Sequence, residues 1–171
     1  MKKLDNIVRQ IAEKSRPPVH LWQPEYEGEI NILIDNNGFW YREGDRIVRD
    51  KLVRLFASML WAEDDEYILV TPVEKLRIQV EDVPYFVHQA EKVEQSWLVT
   101  TNTHEQVIVS EDCPVCLRMY KSQALPYVRI RYDLWARLNR SVYFQWVEEA
   151  LECATGESLS LSSGAYQILL A

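Results

Sequence analysis

The amino-acid sequence predicts an α+β protein of two related β-rich halves, as antiparallel sheets or as small barrels or rolls. Each half carries one packed helix, and a short N-terminal helix precedes them. Three observations support this. Apolar residues alternate with polar ones in short runs bounded by Gly, Pro, Asn and Asp, the mark of half-buried strands. Two longer runs switch to helical spacing. The two helical stripes superpose under one constant shift in residue number, the mark of a repeat.

Leu4, Ile7, Val8 and Ile11 place an amphipathic helix within residues 1–16, and Pro17 and Pro18 end it. His20-Leu21-Trp22-Gln23-Pro24 reads as an extended, aromatic leading segment. Ile30, Ile32 and Ile34 alternate as a strand face, Asp35-Asn36-Asn37-Gly38 is a hairpin turn, and Phe39 to Arg42 return. Leu52, Leu55, Phe56, Met59 and Leu60 form a helical stripe with Asp50 as its expected cap. Strands follow at Tyr67–Val70 and through Leu76, Ile78 and Val80, joined by a turn at Thr71-Pro72-Val73-Glu74-Lys75. These segments make a ββ-helix-ββ unit over residues 17–90.

A second, related unit spans residues 91–171. Val107–Val109 and the alternation Val128, Ile130, Tyr132 read as strands. Tyr143, Trp146, Val147, Ala150 and Leu151 form the second stripe, with Ser141 as cap and Gly156 as stop. Strand pattern returns at Ser158–Leu161 and through Tyr166, Ile168 and Leu170. A shift of 91 residues carries Leu52 onto Tyr143, Leu60 onto Leu151 and Arg49 onto Arg140. It also carries the Thr71–Lys75 turn onto Ser162–Tyr166, so the Glu74–Lys75 charge pair belongs to the first unit alone.

At 171 residues, 47% of them hydrophobic, the chain can bury roughly 70% of its unfolded surface without staples. Twenty-six acidic against nineteen basic residues give a net charge of −7, which disfavours nucleic-acid and anionic-membrane partners. Three cysteines, no apolar leader and no run of transmembrane length point to a cytoplasmic protein.

The motifs for familiar chemistry are missing. There is no P-loop, no G-x-G-x-x-G and no G-x-S-x-G, and three scattered histidines form no metal-binding spacing. Cys113-Pro114-Val115-Cys116 is a single C-x-x-C, which reads as two ordinary half-buried thiols. No metal and no cofactor is expected. The candidate binding residues are His20, Trp22, Trp40, Arg49, Thr71, Glu74, Lys75 and Arg140. Arg49 and Arg140, at matching places of a repeat, could hold a carboxylate or phosphate in one cleft. Trp22 and Trp40 either cover the core or line a ligand surface. Glu74 and Lys75 read as a salt bridge between the halves or as part of a binding site, and Lys75, Arg77, Gln79 and Glu81 as the outward row of their strand.

Several segments together resemble an uncharacterised bacterial family, domain of unknown function 1285. They are PPVHLWQPEYEGEINILIDNNGFWY (17–41), IVRDKLVRLFASML (47–60), YILVTPVEKLRIQVEDVPYF (67–86), LVTTN (98–102) and LPYVRIRYDLWARLNRSVYFQWVE (125–148). The resemblance implies two related β-rich halves, each with a packed helix. It transfers no activity or cofactor, although a role in signal transduction has been suggested for the family. Where this chain has EDCPVCL, the family looks more like a His-Pro-Leu segment. The expectation is a non-enzymatic regulatory module that binds a small anionic ligand or a protein segment at the cleft between the halves. The alternative is a small-molecule enzyme using Glu74, Lys75 or a histidine as acid and base.

Overall fold

The structure, a computed structural model, describes residues 16–153 and 158–170. The expected N-terminal helix and the Gly156 helix stop lie outside the described residues.

In the first half the chain runs β1 (Tyr26–Ile34), β2 (Trp40–Arg42), β3 (Asp45–Arg46), α1 (Asp50–Ser58), β4 (Leu60–Glu63), β5 (Glu66–Val70) and β6 (Glu74–Val80). The sheet order is β3-β2-β1-β6-β5-β4. The second half runs β7 (Tyr85–Val93), β8 (Ser96–Thr101), β9 (Gln106–Ile108), β10 (Val115–Tyr120), β11 (Gln123–Arg131) and β12 (Leu134–Leu138). Its order is β10-β11-β12-β7-β8-β9. Numbered within its own half, each sheet reads 3-2-1-6-5-4. Two antiparallel three-stranded meanders meet along a parallel pair, β1 with β6 and β12 with β7. A short 3₁₀ turn (Val19–Leu21) precedes the first sheet, and α2 (Arg140–Cys153) with the hairpin β13 (Ser160–Ser163) and β14 (Tyr166–Leu169) follows the second.

The two related β-rich halves are therefore present, but the repeat lies in the strands rather than in the helices. Tyr26 opens β1 and Tyr85 opens β7, an offset of 59 residues rather than 91. In the first half the helix joins the third and fourth strands. In the second it follows the sixth strand. Packed amphipathic helices share an apolar stripe whatever their ancestry, so the shift of 91 aligned elements that occupy different places. The parallel central pairs also depart from the all-antiparallel expectation, because the first and last strands of each half meet only through a long crossover. The expected boundary after residue 90 falls inside β7, and the sheets change over between Val80 and Tyr85.

Smaller corrections concern the helix ends. Asp50 is the first residue of α1 and Arg49 its N-cap, with no side-chain cap bond. Leu60, expected in the helix, begins β4 instead. Asn139, rather than Ser141, caps α2, its Oδ1 accepting from Val142 N–H at 2.8 Å.

One core serves both halves. Ile32, Ile34, Trp40 and Leu60 from the first half join Tyr85, Val99, Trp97 and Trp146 from the second, all nearly or wholly buried. The link between the halves is polar and buried. Arg131 of β11 reaches the last turn of α1, where its Nη2 donates to Ala57 C=O at 2.9 Å and its Nη1 to Leu60 C=O at 3.3 Å. The terminal carbonyls of a nine-residue helix have no partners of their own, and a cation there complements the helix dipole. Tyr85 donates to Ala57 C=O at 2.7 Å and accepts from Arg131 at 3.0 Å. Glu105 Oε2 lies 3.6 Å from Arg131 Nε, and the two side chains are 11% and 8% exposed.

A second junction requires glycine. Gly38, with φ +82°, lies so close to β7 that an added Cβ would sit 2.5 Å from Phe86 Cδ2 and 2.8 Å from Asn102 Nδ2.

Two outcomes follow for stability. Arg131→Met leaves Glu105 with Arg16, 3.3 Å away, as its remaining cation and takes the guanidinium donor from the α1 carbonyls. It should cost about 2–4 kcal/mol in urea denaturation, and adding Glu105→Gln should recover part of the loss. Gly38→Ala should cost at least about 1–2 kcal/mol from the left-handed backbone alone, before the clash with Phe86 is added. A wild-type midpoint for either variant would show that the halves do not dock in this way.

Candidate anion-binding cleft

The cleft forms where a turn of the first half meets the open end of the second sheet. Asp35 shapes that turn, its Oδ1 accepting from Asn37 and Phe39 N–H at 2.9 Å each. Asn36 N–H donates to Glu81 at 2.8 Å, and Asn36 C=O accepts from Arg137 Nη2 at 2.5 Å. Asn102 clamps the same turn, donating to Gly38 C=O at 3.1 Å and accepting from Phe86 N–H at 3.0 Å.

The volume enclosed by this turn, the β10–β11 tip and the first turn of α2 is about 840 Å³. Smaller hollows among the described residues measure about 260, 270, 340 and 350 Å³. Phe86, Leu125, Pro126, Tyr143 and Phe144 supply apolar wall, and Lys121, Arg137, Arg140 and His88 supply the basic groups. Among the described residues no carboxylate, serine, threonine or cysteine lines it.

The cations have different duties. Arg137 is committed: its Nη1 donates to Asp82 at 2.6 Å, and its guanidinium lies 4.8 Å from the Phe86 ring centre and 5.0 Å from that of Tyr120. Tyr127 donates to the same Asp82 carboxylate at 3.0 Å. Burial, with the Asp82 charge beside it, pushes the Tyr127 phenol up to about 12. Arg140 and Lys121 form no ion pair among the described residues. Each lies beside an aromatic ring, Arg140 at 5.1 Å from Phe144 and Lys121 at 5.2 Å from Tyr120. An anion entering the cleft meets these two charges uncompensated.

Of the eight residues singled out from the sequence, Arg140 lines this cleft and the others do not. Trp40 is 1% exposed and stacks on Phe56 in the core. Trp22 packs on Val19, Ile68 and Val70, while His20 Nδ1 meets Tyr132 Oη at 3.0 Å. The leading segment is thereby docked onto the first sheet and the β11–β12 turn. Arg49 stands exposed at the start of α1, apart from Arg140. Thr71 makes the expected turn, its Oγ1 accepting from Glu74 N–H at 3.1 Å. Lys75 pairs with Glu63 at 3.3 Å within the first half, so the salt bridge expected between the halves is instead a cross-sheet pair. Lys75 lines a small hollow with Glu27, Glu63 and Glu66 on the outer face of that sheet.

Sequence reading missed Lys121 and Arg137. Lys121 sits in a two-residue hairpin turn with Ser122, both at positive φ, where neither Gly nor Asn signals the turn. Arg137 alternates on β12, a strand whose short run gave no separate signal. The two thiols are ordinary: burial pushes the Cys113 thiol up, and Cys116 Sγ accepts from Arg118 Nε at 3.3 Å.

Fold and cleft together define a two-repeat α+β protein with a basic cleft at the junction of its repeats. Residues 17–83 match the family model "Domain of unknown function (DUF1285), N-terminal domain" and residues 84–167 match "Protein of unknown function (DUF1285), C-terminal domain". The chain belongs to the DUF1285 family. The change from one model to the next falls in the Glu81–Pro84 link between the sheets. A crystal structure of a DUF1285 family protein from Silicibacter pomeroyi DSS-3 is 30% identical with a TM-score of 0.82, covering 94% of this chain and 90% of that one. One from Shewanella baltica OS155 is 31% identical with a TM-score of 0.58, covering 69% of this chain and 91% of that one. No curated protein matches the chain.

The raised phenol sets an alkaline limit. A group whose folded pKa lies above its unfolded value contributes stability that is full below the ordinary phenol range, about pH 10, and is lost as pH rises through about 12. The ultraviolet difference titration of wild type against Tyr127→Phe should therefore show its phenolate step near 12. A step in the ordinary range would mean that the Asp82 contact is absent in solution.

Proposed function

We propose that this chain is a binding module for an anionic ligand with an apolar body, seated in the cleft between the β10–β11 tip and the start of α2. The observation that supports it is the charge of the lining. In a chain of net charge −7, the 840 Å³ cleft gathers Lys121 and Arg140 beside an Arg137 already neutralised by Asp82, with no carboxylate among its described lining residues. Exposed lysine and arginine are ordinarily interspersed with acids on such a surface, so segregation of this kind costs self-repulsion unless an anion relieves it. Aromatic walls suit the apolar part of a ligand, and a volume of this size lies within the range of small-molecule sites. Three free thiols and two bacterial relatives support a bacterial, cytoplasmic setting, and apolar walls beside two open cations support binding in a regulatory role. No described helix is long and apolar enough to cross a membrane.

The test is a fluorescence titration with anilinonaphthalene sulfonate, an aromatic anion. The double variant Lys121→Glu/Arg140→Glu should bind the dye at least about tenfold more weakly, with an unchanged thermal midpoint. Arg49→Glu should bind as wild type. Equal affinity in the double variant and wild type would overturn the assignment.

A further inference from the structure

Strand β11 outruns its neighbour on the cleft side. β12 pairs with it only as far as Arg137, opposite Tyr127, after which the chain leaves the sheet to begin α2 at Arg140. β10 stays paired to the tip, Tyr120 opposite Gln123. Residues 123–125 therefore have one paired edge and one open edge, and Gln123, Leu125 and Pro126 line the cleft.

Ladder alternation decides which groups the open edge presents. Arg129 N–H donates to Pro114 C=O at 3.0 Å, on the β10 side. Every second residue of an antiparallel strand turns its N–H and C=O the same way. The odd-numbered residues of β11 thus face β10, while Ala124 N–H and C=O face the cleft and Pro126 C=O faces Leu138 of β12. The partner strand agrees: Val115 N–H, on the outer side of β10, donates to Tyr166 Oη at 3.1 Å.

The Ala124 N–H and C=O make one donor–acceptor pair, which a residue of an extended peptide can answer in register. The open edge spans roughly 10 Å, the length of three extended residues. Lys121 stands at its tip and Arg140 at the start of α2, both without a carboxylate among the described residues. Resting on the anion-binding reading above, we propose that the occupant is an extended acidic segment of a partner protein. It adds as a short strand along Gln123–Leu125, and its carboxylates pair with Lys121 and Arg140. Phe144, 47% exposed, offers a surface to the side chains between them.

The experiment is displacement of anilinonaphthalene sulfonate from the full chain by two blocked tetrapeptides. One alternates valine with glutamate, and the other carries lysine in place of glutamate. The acidic peptide should displace the dye, with its lysine counterpart at least about tenfold weaker. Ala124→Pro removes a cleft-facing donor and no bond to β10. It should weaken the acidic peptide about tenfold while the dye's affinity stays within about twofold. The acidic peptide N-methylated on alternate amides makes the same test on unaltered protein, and it should lose displacement. Dye binding without displacement by the acidic peptide, or displacement untouched by both changes, would overturn strand addition and leave the anion cleft standing. Failure of wild type to bind the dye would overturn both.

Discussion

Arg131 reaches from the second sheet into the last turn of α1 in the first, and the arrangement of the halves follows from what that burial demands. A guanidinium taken out of water needs acceptors around its rim. The carbonyls of Ala57, Ser58 and Leu60, the Tyr85 hydroxyl and the Glu105 carboxylate surround it. The carbonyls are available only because α1 stops there, and α1 stops there because Leu60 turns into β4. Burial raises the Tyr85 phenol, so its hydroxyl stays protonated and continues to donate to Ala57. Helix end, strand start and inter-half contact thus form one polar unit, and displacing any part leaves a buried group unsatisfied.

The junction near the cleft obeys the same logic at lower burial. Arg137 joins Asp82 in the link, Asn36 in the first half and two aromatic rings in the second. Because Arg137 is neutralised there, Lys121 and Arg140 supply the cleft's open charge. Gly38 and Asn102 bring the first half's turn against β7 and close one side of the volume. The cleft is therefore a product of docking the two repeats, and neither repeat contains it alone.

The shared 3-2-1-6-5-4 order shows how two copies diverge while keeping a frame. The central parallel pair is common to both, since it joins the first and last strands of each half at the middle of the sheet. The helix is a separate addition, placed within the first repeat and after the second. In the second repeat, α2 leaves β12 early, and that early departure exposes the edge of β11.

Much of the local structure was legible in the sequence. Ile30, Ile32 and Ile34 marked β1, Asp35 to Gly38 marked its turn, and the stripe from Leu52 marked α1, because alternation and helical periodicity are written by local burial. Composition determined that two β-rich halves could share a core, and the absence of nucleotide and hydrolase motifs followed directly from the residues. Strands β7 and β8 were harder to read, because Tyr85–Val87 and Ser96–Val99 are buried on both faces and lose the two-residue alternation. The site was mostly illegible. Arg140 was found through a repeat offset that tertiary structure replaces, while Lys121, Arg137 and the open edge at Ala124 gave no signal. Their roles depend on which strand ends first and which half approaches which turn, contacts between residues far apart in the chain. The sequence by itself determined the two helices, the strands that alternate, and the sign of the net charge. Only the tertiary structure decided where the positive charge gathers, because that depends on Asp82 neutralising Arg137 and on no acid among the described residues pairing with Lys121 or Arg140.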